Sequence, residues 1–525
     1  MRRPSSRAAA ALALLLLQAV AFAANKSEKK DLAKQIQALV HQPGFSRAHW
    51  GIDVVDMESG KAIYALNSDH LFLPASNAKL LSTSAALALA GSEYRFHTTL
   101  ETTGKIDANG RLLGDLVIVG RGDPNISGRV MPYQLKTERV SPHTQILEEL
   151  ADQVVQKGIK IVDGDLIGDD SFYAPERYGE GWAHDDLQWI DGAPVSALTF
   201  NDNVLFLKIQ PGEKAGEKAL VTVDPQISYY ELENRILTTA AGMARKVGIH
   251  RDSGSYKVTL WGAIPLDDAG LSEAIAIEDP AEFTAQVFRS LLEKRGIAVT
   301  GKTRPKHGDP AQFFDQPQTQ APPGLVAAPI GPPSQVLAEH VSLPLIEDVR
   351  VTNKTSQNLH AELDLRLIGQ LKGSGGSFEG GAAALKQFLL HAGLKPGEFF
   401  VLDGSGLSRR DLITPAAMVQ LLVYASRQPW GAAFEQTLPV AGVDGSLAER
   451  FVNTPAGGLV HAKTGTLSHV NALSGYGQTS SGKRFIFSIF CNNHDLPSAK
   501  VVAAIDAIVV LLVTAEGSGG KVPGP

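Results

Sequence analysis

Between about Thr98 and Thr303 the chain differs in pattern from the sequence on either side. Short runs typical of β-strands alternate there with turns marked by Gly and Asp. Two segments with the apolar spacing of helices interrupt the region, His143–Val155 and Pro280–Lys294. Helical periodicity returns after Val336. The sequence therefore predicts one or two mostly β modules, flanked on both sides by segments that contain helices.

The flanking segments themselves predict mixed α and β structure. A hairpin is expected at Gly51–Asp56 and Lys61–Ala65, ahead of a helical run at Leu80–Ala90. The later segments predict helices at Ala382–His391, Pro415–Ala425 and Ala499–Val513, and strands at Val470–Gln478 and Arg484–Cys491. The last of these helices is short for a membrane span and carries Asp506, so we expect it to pack on a sheet.

The first 23 residues have the three-part layout of a secretory signal peptide. Arg2, Arg3 and Arg7 form a basic start, Ala8–Val20 is an apolar run, and Ala21–Ala23 is a small-x-small end. We therefore expect cleavage at the end of this segment and export to the periplasm or cell-wall space. The mature chain is expected to have no stable membrane span.

Two further segments differ from the rest in composition. Residues 304–335 contain eight prolines, which favours an extended linker or a long surface loop. Residues 516–525 are expected to form a flexible tail. Neither segment carries a motif of its own.

Charge and cysteine content exclude several classes of function. The 525 residues have a formal net charge of −6, which argues against a nucleic-acid partner, since nucleic acids select basic surfaces. Cys491 is the one cysteine, so an exported chain would have no internal disulfide, and its apolar surroundings are typical of a buried, inert thiol. No His and Cys residues have the spacing of metal ligands, and no cofactor is expected.

A serine and a lysine, Ser76 and Lys79, stand three residues apart just before the helical run at Leu80–Ala90. Residues i and i+3 share one helix face, so the lysine amine can lie beside the serine hydroxyl. A lysine can remove the serine's proton when burial or a neighbouring cation lowers its pKa. The same spacing occurs at two polar places in the chain, so this pattern alone is weak.

Two later triplets give the pattern weight. Ser356-Gln357-Asn358 is the one Ser-x-Asn in the chain, and Lys463-Thr464-Gly465 is the one Lys-Thr-Gly. Together with the earlier serine and lysine they form an ordered set that is known from serine β-lactamases and penicillin-binding proteins.

The residue types in this set suit acyl transfer. Ser76 would attack a carbonyl and form an acyl-enzyme, and Lys79 would take its proton. A second cation, Lys463, would help to keep one of the two amines neutral. Ser356 could relay a proton to the leaving nitrogen, and Asn358 could orient Lys79 and a substrate amide.

The third motif and its neighbours suit substrate binding. Lys463 and Thr464 would bind a substrate carboxylate, and Gly465 would keep the strand free of a side chain where substrate approaches. The backbone N–H groups of Ser76 and Thr466 could form an oxyanion hole.

Four other polar residues are interpreted without a role in the chemistry. Ser405 and Ser446 lie in Asp-Gly-Ser turns and are interpreted as turn-capping serines. His360 and His461 flank the second and third motifs. Because the chain has no Gly-x-Ser-x-Gly elbow, we interpret them as packing or rim residues rather than as members of a Ser-His-Asp triad.

With these motifs the chain resembles class C low-molecular-weight penicillin-binding proteins, the D-alanyl-D-alanine carboxypeptidase and endopeptidase family. One departure is Gln357, which stands where Asp is common. Further stretches between about residues 45 and 495 are similar to that family, namely Gly122–Pro124, Asp169–Phe172, Gly181–Trp182, Gly192–Ala197, Asn201–Asn203, Asp403–Arg409 and Gly442–Leu447.

The resemblance implies an α/β (α+β) fold. A transpeptidase/β-lactamase-like domain, an antiparallel sheet flanked by helices, would comprise residues 24–97 and 336–515 and would be split by inserted mostly-β domains. The insertion would comprise residues 98–303, with an inner domain at about 205–270. By the same resemblance, Leu467 would line the pocket for the peptide side chain, and Arg409 and Asp169 would grip its polar end.

The implied activity is that of a serine DD-peptidase, acylated by penicillins and other β-lactam inhibitors. It would cleave D-alanyl-D-alanine ends or D-alanyl-diamino-acid cross-links of peptidoglycan stem peptides. A related serine β-lactamase is an alternative, but it needs fast deacylation, and the sequence shows no obvious added base. A catalytically silent cell-wall-binding protein is another alternative, against which the intact motifs argue.

Overall fold

The structure, a computed structural model, describes residues 32–134, 137–139, 142–311 and 334–515. The chain divides into two compact units. The first unit contains the chain up to Ala88, the segment Val349–Ala361, and the chain from Leu385 onward. The second contains Leu89–Asp348 and Glu362–Ala384. All three sequence motifs lie in the first unit.

The helices follow the apolar spacing of the sequence, and two of them begin at a proline. Asp279 and Thr414 precede these prolines and accept hydrogen bonds from Glu282 N and Ala417 N, so each caps its helix. The α-helices are α1 (Leu32–Val40), α2 (Lys79–Ala90), α3 (Gln145–Gln156), α4 (Pro280–Lys294), α5 (Leu345–Thr355), α6 (Asn358–Leu371), α7 (Phe378–His391), α8 (Pro415–Ser426), α9 (Gly431–Thr437) and α10 (Ser498–Thr514).

The strands concentrate in the second unit. They are β1 (His49–Asp56), β2 (Ala62–Leu66), β3 (His97–Thr102), β4 (Lys105–Ile106), β5 (Arg111–Leu113), β6 (Leu116–Val119), β7 (Arg129–Gln134), β8 (Thr137–Arg139), β9 (Ile161–Asp163), β10 (Leu166–Asp169), β11 (Val204–Gln210), β12 (Leu220–Asp224), β13 (Glu231–Thr239), β14 (Lys246–His250), β15 (Lys257–Pro265), β16 (Leu271–Ala276), β17 (Ala298–Val299), β18 (Thr303–Lys306), β19 (Gln335–Val341), β20 (Phe399–Phe400), β21 (Leu412–Ile413), β22 (Val460–Leu467), β23 (Val470–Gln478) and β24 (Arg484–Asn492).

The first unit is built on an antiparallel sheet with the strand order β2-β1-β24-β23-β22. One face forms the apolar core with helices α1 and α10, and Ala462, Leu473 and Phe487 belong to it. Because successive strand residues point to opposite faces, Lys463 and its partner Ser474 lie on the other face. The alternation of the strand thus places Lys463 on the face opposite the apolar core, although the residue before it, Ala462, belongs to that core.

The second unit contains several smaller sheets. The largest has the order β18-β10-β6-β3-β19 and mixes parallel and antiparallel pairs. Two three-stranded sheets, β12-β11-β16 and β13-β15-β14, occupy the stretch from Val204 to Ala276. Helices α3 and α4 contribute Leu150, Val154 and Phe288 to a shared apolar core with these strands.

The architecture confirms the predicted fold class, a mixed α/β chain with an antiparallel sheet flanked by helices. The predicted domain borders remain a prediction, and the second unit begins at Leu89. Residues 304–306 are the start of the Pro-rich segment that the sequence assigned to a linker, and they form part of strand β18 beside β10. The predicted signal peptide, most of the Pro-rich segment and the tail lie outside the described residues. No helix of the described ranges is long and apolar enough to cross a membrane.

Candidate active site

Ser76 lies in a short 3₁₀ turn, Ala75–Ala78, which passes directly into helix α2 at Lys79. Ala75 has a positive φ of 47°, an uncommon conformation for a residue with a side chain. Such a conformation costs about 1–3 kcal/mol and persists where the surrounding structure enforces it. The turn brings the Ser76 hydroxyl onto the same side as the Lys79 amine, as the three-residue spacing predicts.

Lys79 is fully buried, and its Nζ atom contacts oxygens from three separate parts of the first unit. It lies 2.9 Å from Ser76 Oγ and 2.6 Å from Asn358 Oδ1. It also donates a hydrogen bond of 2.8 Å to the backbone carbonyl of Ser405. These three contacts fix the amine beside the hydroxyl whose proton it would have to accept.

Ser356 and Asn358 lie at the junction of α5 and α6. Ser356 has a φ of 64°, so the chain turns sharply between the two helices. As a result the Ser356 hydroxyl lies 2.8 Å from the Lys463 amine, whereas Asn358 contacts Lys79. Gln357, between them, is directed elsewhere, and its Oε1 accepts a hydrogen bond of 2.9 Å from Leu359 N. The departure at this position therefore leaves both amine contacts intact.

Lys463 is fully buried on strand β22 and donates to Ser356 Oγ and to the carbonyl of Thr464, at 2.8 and 3.0 Å. Burial holds the pKa of Lys463 well below its ordinary value, and the nearby charge of Lys79 lowers it further. The sequence predicts Lys463 as a second cation beside Lys79, and the burial of its amine acts against the charged form.

Strand β22 packs closely on the turn that carries Ser76. Asn77 Nδ2 donates to the Lys463 carbonyl at 3.0 Å. A Cβ atom at Gly465 would lie 2.7 Å from the Pro74 carbonyl and 3.0 Å from Asn77 Nδ2. A glycine is thus required at position 465 because strand β22 and the turn with Pro74 and Asn77 approach closely there. The sequence alone indicated a different reason for this glycine, the approach of substrate.

The Ser405 carbonyl is a site component that the sequence did not reveal. Its turn is held by Asp403, whose Oδ1 accepts a hydrogen bond of 2.7 Å from Gly406 N. Gly406 has a φ of 77°, and a Cβ there would lie 1.9 Å from the Ala75 carbonyl, so a side chain is excluded. Every residue has a backbone carbonyl, and the Asp-Gly-Ser-Gly pattern predicts a turn without saying what the turn contacts.

A second missed contact involves Ser446, in the 3₁₀ turn Gly445–Leu447. Its Oγ lies 2.8 Å from Oγ1 of Thr464, in the third motif. The interpretation of Ser446 as a turn-capping serine therefore overlooked its contact with the hydroxyl of Thr464.

The predicted peptide-binding residues divide between the units. Leu467 ends strand β22, and the exposed Arg409 donates to the carbonyl of Ser468, which follows it, at 3.4 Å. Thr466 Oγ1 accepts a hydrogen bond of 3.2 Å from Asn471. Their roles in binding remain predictions.

Asp169 belongs to the second unit, at the end of strand β10. Its carboxylate contacts Lys306 Nζ at 2.7 Å and accepts a hydrogen bond of 2.9 Å from Ser171 N. These partners give the carboxylate a structural role within its own unit, and its predicted contact with substrate remains a prediction.

The cysteine and the acidic residues offer no second chemistry. Cys491 is buried in strand β24, and burial raises the pKa of its thiol to about 12, as suits an inert side chain. Over the part of the chain that the structure describes, no group of three or more His, Cys, Asp or Glu side chains could hold a metal ion.

Comparison with known proteins gives matches along almost the entire chain. A sequence profile of the D-Ala-D-Ala carboxypeptidase 3 (S13) family matches residues 32–312 and 323–514. The D-alanyl-D-alanine carboxypeptidase of Actinomadura sp. strain R39 is 33% identical over 504 residues, which cover 94% of this chain and 86% of that protein. The D-alanyl-D-alanine carboxypeptidase DacB of Haemophilus influenzae is 27% identical over 451 residues, 85% of each chain.

The fold also matches solved structures. Penicillin-binding protein 4 of Haemophilus influenzae superposes with a TM-score of 0.76 at 24% identity, covering 91% of this chain and 99% of that one. A second structure of that protein, in complex with a β-lactam, superposes with a TM-score of 0.71 at 22% identity, covering 92% of this chain and 100% of that one.

Proposed function

Because this chain belongs to the D-Ala-D-Ala carboxypeptidase 3 (S13) family, a family of serine peptidases, we propose that Ser76 is its nucleophile and that its substrate is a peptidoglycan stem peptide ending in D-alanyl-D-alanine. One observation carries the proposal. Lys79 Nζ lies 2.9 Å from Ser76 Oγ, within the range at which a general base can accept the hydroxyl proton. The other motif residues surround this pair with hydrogen-bond partners.

Acylation uses both amines. Ser76 Oγ attacks the carbonyl carbon of the penultimate D-alanine while its proton passes to Lys79. The C–N bond then breaks, and Lys79 passes this proton to the leaving nitrogen through the hydroxyl of Ser356, which Lys463 contacts at 2.8 Å. D-Alanine leaves, and water hydrolyses the ester on Ser76. Asn358, bound to Lys79 at 2.6 Å, keeps the amine in place and offers an amide to the substrate.

Substrate binding rests on the third motif and the residues around it. Thr464 and Lys463 bind the terminal carboxylate, and Gly465 lies between them and Thr466. The backbone N–H groups of Ser76 and Thr466 stabilise the tetrahedral oxyanion, for which loss of one donor costs about 10²–10³ in rate. Leu467 and Arg409, both in the first unit, line the subsite for the peptide side chain.

The same site would act on cross-links and react with penicillins. A D-alanyl-diamino-acid cross-link presents the same carbonyl with a larger leaving amine, so endopeptidase activity accompanies the carboxypeptidase activity. A β-lactam ring presents a strained amide to Ser76, and the solved complex of Haemophilus influenzae penicillin-binding protein 4 with a β-lactam supports this.

The substrate also suggests where the chain acts. Peptidoglycan lies outside the cytoplasmic membrane, and the signal-peptide pattern of residues 1–23 suits export to the periplasm. The catalytic domain would be discontinuous, residues 24–97 and 336–515, with the β-rich region 98–303 inserted into it.

The test is covalent labelling of the purified protein with a fluorescent penicillin. Wild type is expected to become labelled at Ser76, and Ser76→Ala to lose the label while it keeps its thermal unfolding temperature. A matched control is Ser480→Ala, which alters an exposed turn serine and should leave labelling unchanged. Equal labelling of Ser76→Ala and wild type would contradict the assignment.

Product analysis then identifies the reaction. A defined pentapeptide should release D-alanine, and a cross-linked muropeptide should be cleaved into its two halves. Rapid penicillin turnover in place of a long-lived adduct would instead indicate a β-lactamase. Neither labelling nor release of D-alanine would favour a catalytically silent protein that binds the cell wall.

A further inference from the structure

Two hydroxyl groups lie side by side at the third motif. Ser446 Oγ is 2.8 Å from Thr464 Oγ1, and either oxygen can be the donor. Ser446 is exposed and Thr464 is half-buried, so a ligand can reach both. A hydrogen bond between two hydroxyls uses the hydrogen of only one of them, so the other O–H group can still donate to a ligand. When both groups rotate outward, the pair presents two donors to one acceptor.

The segment that carries Ser446 is held in place by a buried ion pair. Lys354 Nζ binds Asp444, and their side chains are only 4% and 12% exposed. Asp444 Oδ1 also accepts a hydrogen bond of 2.7 Å from Val440 N. Gly445, with a φ of 56°, lies against the Lys354 carbonyl, where a Cβ would come within 2.7 Å of that oxygen. Breaking such a buried pair from one side leaves an unpaired buried charge, so the ion pair holds the segment firmly.

This ion pair also joins two parts of the site. Lys354 stands two residues before Ser356, and Asp444 stands two residues before Ser446. The serine that contacts Lys463 and the serine that contacts Thr464 are therefore fixed to one another through a single Lys–Asp contact. The positions of the two hydroxyls near Lys463 are thus set by the first unit before any substrate binds.

The chemistry of this pair fits a carboxylate. An ionised carboxylate accepts hydrogen bonds on both oxygens, and donation from neutral hydroxyls to a charged acceptor gives short, strong bonds. A substrate that ends in a free carboxylate brings a charged acceptor that these two donors would bind together.

We propose that Ser446 is a substrate-binding residue that, with Thr464, binds the free terminal carboxylate of the D-alanyl substrate. The inference rests on the proposed function, since a terminal carboxylate is what a carboxypeptidase substrate presents. Ser446 thereby selects substrates that end in a carboxylate over those in which this group is blocked.

The test compares ligands with and without the carboxylate. Wild type, Ser446→Ala, Ser446→Thr and the control Ser480→Ala are reacted with a penicillin and with its methyl ester, and acylation rate constants are measured by intact-protein mass spectrometry. The kcat/KM for a peptide ending in D-Ala-D-Ala is measured in parallel. Ser446→Ala should lower the acid penicillin rate and the peptide kcat/KM by about 10–100-fold, the loss of one hydrogen bond to a charged group.

The methyl ester distinguishes a loss of carboxylate binding from a general disturbance of the active site. Ser446→Ala should change the ester rate less than twofold, Ser446→Thr should restore most of the acid rate, and Ser480→Ala should match wild type throughout. Equal slowing of acid and ester by Ser446→Ala, or no slowing of either, would overturn the proposal. Wild type that is neither acylated by penicillin nor releases D-alanine would instead overturn the proposed function, and this inference with it.

Discussion

Both units bury cationic side chains, but the partners of these cations differ. In the first unit, Lys79 and Lys463 are fully buried and contact hydroxyls, carbonyls and an amide oxygen. In the second unit, buried arginines contact carboxylates. Arg129 and Asp202, 1% and 0% exposed, make two hydrogen bonds of 3.0 and 2.9 Å.

The difference separates a reactive site from a structural contact. A carboxylate next to a buried cation stabilises the charged form, and the pair stabilises the fold when both oxygens are satisfied. Neutral oxygens offset the desolvation of a buried lysine less than a carboxylate does, so contacts with them favour its neutral form more. A buried lysine of this kind lowers the stability of the folded protein, a trade-off with activity that is common in enzymes.

Lys354 shows that the partner matters more than the residue type. It lies in the same unit as Lys79 and Lys463 and is almost as deeply buried, but it is bound to Asp444. Burial lowers the pKa of Lys354, and the Asp444 carboxylate opposes this effect. Lys354 therefore positions a segment of the chain, whereas proton exchange by the two motif lysines is our proposal.

The largest expected effect is on the reaction. Lys79→Met removes the proton acceptor beside Ser76, and penicillin acylation should slow by about 10²–10⁴-fold, the usual contribution of a general base. The thermal unfolding temperature should stay close to that of wild type, because methionine fills a similar buried volume. An unfolding temperature well below that of wild type would show that the Lys79 amine has a structural role. The contrast between reactive cations in the first unit and structural cations in the second would then be wrong.

Breaking a buried pair in the second unit should have the opposite result. Arg129→Met leaves Asp202 buried without its cation, and the free energy of unfolding should fall by about 3–5 kcal/mol. The control Arg235→Met removes an exposed cation paired with Glu233 and should cost at most about 1 kcal/mol. Urea unfolding measures both variants, and equal effects of the two substitutions would contradict the argument from burial.

The reaction should also depend on pH in a defined direction. The pKa of Lys463 is held below its ordinary value, so the amine is neutral above that pKa and takes up a proton as the pH falls through it. A proton on Lys463 places a charge near Lys79 and opposes transfer of the Ser76 proton to it, so penicillin acylation by wild type should slow on the acid side, by up to about tenfold per pH unit. Circular dichroism at each pH checks that the fold is intact, and a rate that stays constant towards acid would contradict the assignment.

The smallest effect is expected at His307 in the second unit. Its two ring nitrogens lie 2.8 Å from Asp170 and 3.0 Å from Asp279, and these carboxylates raise its pKa to about 10. The imidazolium is therefore retained in the folded state at neutral pH. His307→Gln should lower the free energy of unfolding by about 1–2 kcal/mol, since the ring is partly exposed to solvent.

The pH dependence of this effect follows from the sign of the shift. A raised pKa stabilises the fold fully below the unfolded-state value of about 6.5, and this contribution is lost as the pH rises towards about 10. The stability difference between wild type and His307→Gln should shrink over that range, as measured by urea unfolding at several pH values. A difference that is constant with pH would show that His307 acts by packing alone.

The sequence predicted much of the fold because its local signals agree with the structure. Pro280 and Pro415 each begin a helix after a capping residue, and the helices run as their apolar spacing indicates. The strand predicted at Val470–Gln478 has the same bounds in the structure. The borders between the two units could not be derived in this way, since the first unit is assembled from three separated segments of the chain.

What the sequence by itself determined is which side chains can do the chemistry. The amino-acid sequence alone shows a serine with a lysine three residues on, a serine with an asparagine two residues on, and a second lysine in a Lys-Thr-Gly triplet. Local spacing alone places Ser76 beside Lys79.

Only the tertiary structure decided what surrounds those side chains. The Ser405 carbonyl on Lys79 and the Ser446 hydroxyl beside Thr464 come from turns whose sequences predict nothing but a turn. The lowered pKa of Lys463 depends on burial and on Lys79, hundreds of residues away. The physical reason is that solvent exclusion and charge proximity are set by long-range packing, whereas a motif records only its own neighbours along the chain.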